Sequence, residues 1–200
     1  MSALLIVSAT VLLWSAIRPV DYGVWFFEII VGLIGIFVLA TTCRRFRFSD
    51  LVYLLAAIHF AILAVGGKYT YAEMPLFNWL KDALSLSRNH YDRVGHFAQG
   101  FVPALIVREI LLRTTKLQSG KVTSFLVVCV CLAFSALYEL IEWGVVMAFY
   151  PTQGPERLGM QGDPWDTQED MFIALCGAML SLLTLSRVHD LSMKNLKPNT

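Results

Sequence analysis

Charge is what this sequence has least of. Asp, Glu, Lys and Arg together make up 16% of its 200 residues, against 56% hydrophobic residues, and its mean hydropathy is +0.61. A soluble domain carries about 25% charged residues, so this chain has too little polar surface to cover itself in water. The formal net charge of +1, with no long basic run, argues for neither a nucleic acid nor an acidic partner. The four cysteines, Cys43, Cys129, Cys131 and Cys176, show no CxxC spacing and lie in or beside apolar stretches. They read as small buried hydrophobes rather than disulfides or zinc ligands. No HExxH, no GxSxG and no glycine-rich phosphate loop with lysine is present, which sets aside the common zinc peptidase, serine hydrolase and nucleotide-binding signatures. No internal repeat is visible, and that weakens a transporter built from inverted halves. No Lys or Arg precedes the first apolar stretch and no Ala-x-Ala site follows it, so a cleaved secretory signal is not the reading.

What is present is a series of apolar blocks close to the length that crosses a hydrocarbon core about 30 Å thick. They run at about 3–17, 24–43, 50–65, 94–112, 122–149 and 171–185, giving an all-α, polytopic bundle of about six spans in one membrane domain, 1–200. Pro103 should kink the fourth block. Gly66-Gly67 should end the third, followed by an aromatic-rich connection with a short surface helix near Leu76 to Leu86. Arg44, Arg45 and Arg47 form one basic cluster, Arg113, Lys116 and Lys121 a second, and Arg187, Lys194 and Lys197 a third. An even number of spans separates each from the next, so all three share one side, which the positive-inside tendency makes cytoplasmic, with both termini. Bilayer lipid is then the immediate partner.

Three polar segments interrupt this pattern. In His90 to Gly100, the residues Asp92, His96 and Gln99 fall at i, i+4 and i+7, on one helix face. Tyr138-Glu139-Leu140-Ile141-Glu142-Trp143 places two acids inside a span, where each costs on the order of 3 kcal/mol and calls for a cation, a proton or a polar partner such as Arg93 or His96. Asp163-Pro164-Trp165-Asp166-Thr167-Gln168-Glu169-Asp170 brings carboxylates to the mouth of the last span. There a helix cap, with Asp166 as N-cap and Glu169 as its partner, competes with a ligand role. The topology puts all three segments at similar depth on the outer side, with Glu28 near them. Asp92, His96, Glu139 and Glu142 are the residues that would carry any catalysis. His96, Glu139, Glu142, Asp166 and Asp170 are the set that would hold a divalent ion, Mg²⁺ or Ca²⁺ by carboxylates alone and Zn²⁺ or Mn²⁺ if His96 joins. His59 reads as an interhelical hydrogen-bond partner, His90 and His189 as surface residues, and Trp143 and Trp165 as interfacial anchors.

In these same motifs the sequence resembles the YjdF-type family of bacterial inner-membrane proteins: His90-Tyr91-Asp92-Arg93-Val94-Gly95-His96-Phe97, the Tyr138 to Trp143 motif, and Gln161 to Gln168 with Asp170. More distantly it is similar to the VanZ-type membrane proteins, which place an Asp-Lys/Arg-x-x-His motif, a Glu-containing helix and an Asp before a Gly-containing span in the same order. Here these are Asp92 to His96, Glu139 with Glu142, and Asp170 with Gly177. The resemblance implies a helical bundle in the inner membrane and supplies no reaction. Three functional readings follow: a binding or scaffold protein in envelope physiology, a metal-dependent enzyme acting on a lipid or cell-wall precursor, and a proton-coupled transporter using Glu139 and Glu142.

Overall fold

A computed structural model describes residues 2–152, 154, 158 and 160–196. Among these residues there are seven helices and no strand: α1 (Ser2–Ala16), α2 (Tyr22–Thr42), α3 (Asp50–Lys68), α4 (Pro75–Ala83), α5 (Tyr91–Thr114), α6 (Lys121–Phe149) and α7 (Asp166–Lys194). Four of them, α2, α3, α6 and α7, are long and apolar enough to cross a membrane. Of the remainder, α1 is shorter, α4 is the short helix expected in the aromatic-rich connection, and α5, although about 36 Å long at 1.5 Å per residue, carries a polar stripe. Lys197 lies outside the described residues, as does part of the loop before α7.

The helices are apolar on the outside and polar within. In α2 the buried residues are Glu28 and Ile29, while Phe26, Ile34 and Phe37 are exposed. Along α6 and α7 the large residues Phe125, Phe134, Leu140, Phe172 and Leu183 are likewise exposed, and Ser135, Glu139, Asp170 and Ser181 are buried. Water would not tolerate that arrangement, and hydrocarbon demands it.

α5 and α7 form the most closely packed pair. Gly100 and Gly177 make this approach: a Cβ on Gly100 would strike the Ala174 carbonyl, and one on Gly177 would strike the Phe97 carbonyl. Small residues that let backbones touch are how helices associate where lipid tails offer no hydrophobic gain. α5 runs unbroken through Pro103. Gly66 and Gly67 do not end α3, which continues to Lys68. Instead, bare backbone at Gly66 makes room for the Tyr71 ring, and at Gly67 for the α2 backbone at Trp25.

At the end of the bundle away from Asp92, a buried polar knot joins α3, α5 and α7. Glu109 accepts hydrogen bonds from the Ser49 amide at 3.0 and 3.1 Å, from His189 Nε2 at 2.9 Å and from Arg113 at 2.5 Å. Arg108 donates to His189 Nδ1 at 3.2 Å and pairs with Asp190 at 2.7 Å. His189 is therefore fully buried rather than a surface residue: α7 continues about nine residues past the apolar block ending at Leu185 and carries it onto Glu109. Its Nδ1 faces a guanidinium and its Nε2 a carboxylate, so the ring bridges Arg108 and Glu109.

The cysteines are unpaired among the described residues. Cys131 is buried in the core between α5, α6 and α7 and Cys43 is half-buried, but Cys129 and Cys176 are exposed, on the apolar outer faces of their helices. The expectation that all four are buried fails because a thiol serves equally well against lipid.

Candidate functional site

The N-terminus of α5 is anchored first. Asn89, fully buried, accepts the Tyr91 amide at 3.0 Å and donates through Nδ2 to the Met74 carbonyl at 3.1 Å and Asn78 Oδ1 at 2.9 Å. Its backbone amide and carbonyl are both bonded, at 3.0 Å each, by the side-chain amide of Gln161. This exchange docks the loop before α7 onto the head of α5, so that acids from α7 meet bases from α5.

Two arginines organise those acids. Arg93 reaches Asp170 Oδ1 at 2.6 Å, Glu169 Oε2 at 2.6 Å, Asp163 Oδ2 at 3.2 Å and Asp166 Oδ1 at 3.4 Å. Arg88, 4% exposed at its side chain, pairs with Asp166 through a short hydrogen bond and lies 3.5 Å from Asp163 and 3.8 Å from Asp92. Asp166 is thus an ion-pair partner. It is also not the N-cap of α7: that position is Trp165, and Asp166 opens the first turn, where its charge meets the positive end of the helix dipole.

His96 stands beside this network, at the meeting point of the three polar segments. Its Nδ1 is 3.1 Å from Gln99 Oε1 and 3.6 Å from Glu139 Oε1; its Nε2 is 3.6 Å from Asp92 Oδ1 and 3.7 Å from Asp170 Oδ2. With Gln99 accepting the Nδ1 proton, Nε2 faces two carboxylates. Those gaps exceed the 2.7–3.2 Å of a hydrogen bond to nitrogen. They are close to the separation of about 3.4 Å between neighbouring ligands at about 2.1 Å from a tetrahedral ion. Asp92, His96 and Asp170 each present a ligand atom within 4.8 Å of the others, and the residues fit a cation between them. Glu139 Oε1 accepts no hydrogen bond among the described residues although its side chain is only 8% exposed.

On its other side this cluster opens into a cavity of about 460 Å³ whose walls include Glu28, His59, Tyr71, Tyr138 and Glu142. Tyr71 and Tyr138 both donate to Glu28, at 2.9 and 2.7 Å. Tyr71 lies in the connection after α3, where burial and then the nearby Glu28 push its phenol well above the usual value, so it stays a donor. His59 Nε2 has no hydrogen-bond partner among the described residues, so the expected interhelical bond through that atom is not made. The ring lines the cavity instead. Trp143 and Trp165 are exposed, as interfacial anchors should be, and His90 is half-buried.

Asp92, His96, Glu139 and Asp170 are brought together as the motifs suggested, Glu142 lines the adjoining cavity, and Asp166 is drawn off by the arginines. Sequence reasoning left Arg88, Tyr71 and Tyr138 without a role. Arg88 had a signal, since it lies four residues before Asp92, at the edge of the His90 to Gly100 motif. Tyr71 had none: its partner Glu28 is 43 residues away.

An apolar-outside bundle with a buried cluster of acids, arginines and a histidine at one end defines a multi-pass integral membrane protein with a polar site. The chain belongs to the family described as "Predicted membrane protein (DUF2238)", whose model matches residues 1–191. It is 46% identical over 180 residues to the protein named "Inner membrane protein YjdF" of Escherichia coli (strain K12), covering 90% of this chain and 85% of that one. No solved structure matches it. The chain is a multi-pass protein of the bacterial inner membrane; the VanZ-type likeness rests on motif order alone.

Proposed function

We propose that this protein is a cation-binding protein of the cell envelope, in which Asp92, His96 and Asp170 hold one divalent metal ion at the outer end of a six-span bundle with both termini in the cytoplasm. The observation that carries the reading is the pair of carboxylates set 3.6 and 3.7 Å from His96 Nε2, too far to hydrogen-bond it and well spaced to share an ion with it. One nitrogen and two oxygen donors suit Zn²⁺ or Mn²⁺ better than Mg²⁺ or Ca²⁺. Gln99 supports His96 from the Nδ1 side, as groups behind a ligating imidazole commonly do.

Orientation is supported by charge. Arg113 donates to the Arg47 carbonyl at 2.6 Å, so two basic clusters lie at the same end of the bundle as the Glu109 knot, and the acidic site lies at the other. A reporter fused after Thr200 is expected to behave as cytoplasmic; an external signal would place the acidic site on the inner side.

A second reading is favoured by the cavity. With three protein ligands the ion keeps an open position, and space beside it would admit a lipid or cell-wall precursor. Such an ion can activate a water or polarise a phosphoryl group, which makes the protein a metal-dependent enzyme rather than a scaffold.

Elemental analysis of detergent-purified, chelator-free protein tests the metal. About one equivalent per chain is expected, falling at least tenfold in His96→Ala and Asp170→Asn. A wild type without metal would remove both readings and leave the carboxylates to protons, as a proton-coupled transporter requires.

A further inference from the structure

The cavity that adjoins His96 is lined by six carboxylic acids, Asp21, Glu28, Glu73, Asp92, Glu142 and Asp170, and by no Lys or Arg among the described residues. Arg93 pairs with Asp163, Glu169 and the cavity acid Asp170, while Arg88 pairs with Asp166 and lies 3.8 Å from the cavity acid Asp92. The other polar groups of its described walls are histidines, phenols, amides and the Thr70 hydroxyl. The acids of the described walls favour positive charge over negative, and the volume of about 460 Å³ is far larger than one metal ion needs.

Within it the acids differ. Glu28 is already bonded by Tyr71 and Tyr138, and Asp170 by Arg93. Glu142 lines the cavity with no hydrogen-bond or ion-pair partner among the described residues, and Glu139 Oε1, one turn away on α6 and buried, also accepts no hydrogen bond. Tyr71 and Tyr138 also line the cavity. An unpaired carboxylate beside aromatic rings is the chemistry that recognises an ammonium group, by charge-assisted hydrogen bonds and by attraction to the ring faces.

We infer that this cavity receives a protonated primary amine, with Glu142 as its carboxylate partner. The inference rests on the cavity walls and not on the metal. An amine can come from a free solute or from an aminophospholipid headgroup. The second source has a route, because α2 packs on α3 and is not among the close partners of α6, which it meets through the Glu28–Tyr138 hydrogen bond and the Phe27–Tyr138 ring contact. A headgroup entering between α2 and α6 would leave its chains in the bilayer.

The test uses the full chain in maltoside micelles and compares ethanolamine with ethylene glycol, which differ by an ammonium in place of a hydroxyl. Ethanolamine should raise the thermal unfolding midpoint saturably, ethylene glycol should not, and the response should persist after the metal is removed by chelation. In Glu142→Gln the apparent affinity should fall at least tenfold, while exposed Asp50→Asn should match wild type. In a parallel arm, protein extracted from bilayers of phosphatidylethanolamine and phosphatidylglycerol should retain the amine lipid at least threefold over the anionic one, dependent on Glu142. A response in the first arm alone identifies a soluble amine, and in the second alone a lipid headgroup. Equal responses to the two solutes in wild type, together with no lipid enrichment, would overturn the inference whether or not Glu142→Gln folds.

Discussion

Replacing Arg93 with methionine should destabilise the protein by about 3–5 kcal/mol, the cost of breaking a buried ion pair from one side. Arg93 is 11% exposed at its side chain and touches Asp170, Glu169 and Asp163 at 2.6, 2.6 and 3.2 Å. Without it those carboxylates crowd together near the head of α7 with Arg88 as the nearby base. The aliphatic stem survives in methionine, so the loss is of charge rather than of volume. Denaturant or thermal unfolding in detergent measures the effect. Adding Asp170→Asn to Arg93→Met should recover part of the loss, since the carboxylate that the arginine neutralised is then gone as well. A loss under about 1 kcal/mol for Arg93→Met would mean that this network is solvated and contributes no more than a surface pair.

Gly100→Leu is expected to have an effect of similar size by a different route. Even one methyl group at Gly100 meets the Ala174 carbonyl, and a whole side chain cannot be placed without moving α7 away from α5. Overpacking a tight core costs typically 1–3 kcal/mol, and more where backbone must shift. Here the shift would also separate Asp92 and His96 on α5 from Asp170 on α7, so any metal bound at wild-type stoichiometry should be lost along with stability. Gly100→Ala should show the same signs to a smaller degree. A Gly100→Leu protein with unchanged midpoint and metal content would show that this contact does not hold the site together.

The reading of fold from sequence succeeded where one physical signal dominated. Apolar blocks near 20 residues predicted helices that α2, α3 and α6 match to within three residues at each end. At the final helix that signal failed at both ends. Asp166 to Asp170 stood before the apolar block that begins at 171, with Asp166 expected as a cap, yet Arg88 and Arg93 neutralise this segment and it forms the first turn of α7; His189 looked exposed because it follows the apolar run, yet Glu109 and Arg108 receive it. In each case a polar residue was buried by a partner about 80 residues away, which no local pattern reveals.

The site was legible in outline because alternating spans must return three polar segments to one end of the bundle. Its division of labour was not. Asp166 and Asp170 lie one turn apart and both pair with Arg93, but Arg88 also takes Asp166, whereas Asp170 turns its second oxygen to His96. Gly66 and Gly67 carried a similar ambiguity: glycine signals a helix end or a close approach, and the Tyr71 ring selects the second.

The central claim, that His96 Nε2 and the carboxylates of Asp92 and Asp170 share one ion, is tested most directly by loading the purified protein with Mn²⁺ and recording its electron spin-echo modulation. A single directly bound imidazole nitrogen per Mn²⁺ is expected, absent in His96→Ala, with about tenfold weaker Mn²⁺ binding when Asp92 or Asp170 is replaced by asparagine. Mn²⁺ that binds without a nitrogen coupling, or that binds equally well in His96→Ala, would contradict it and return these residues to a network held by protons and arginines.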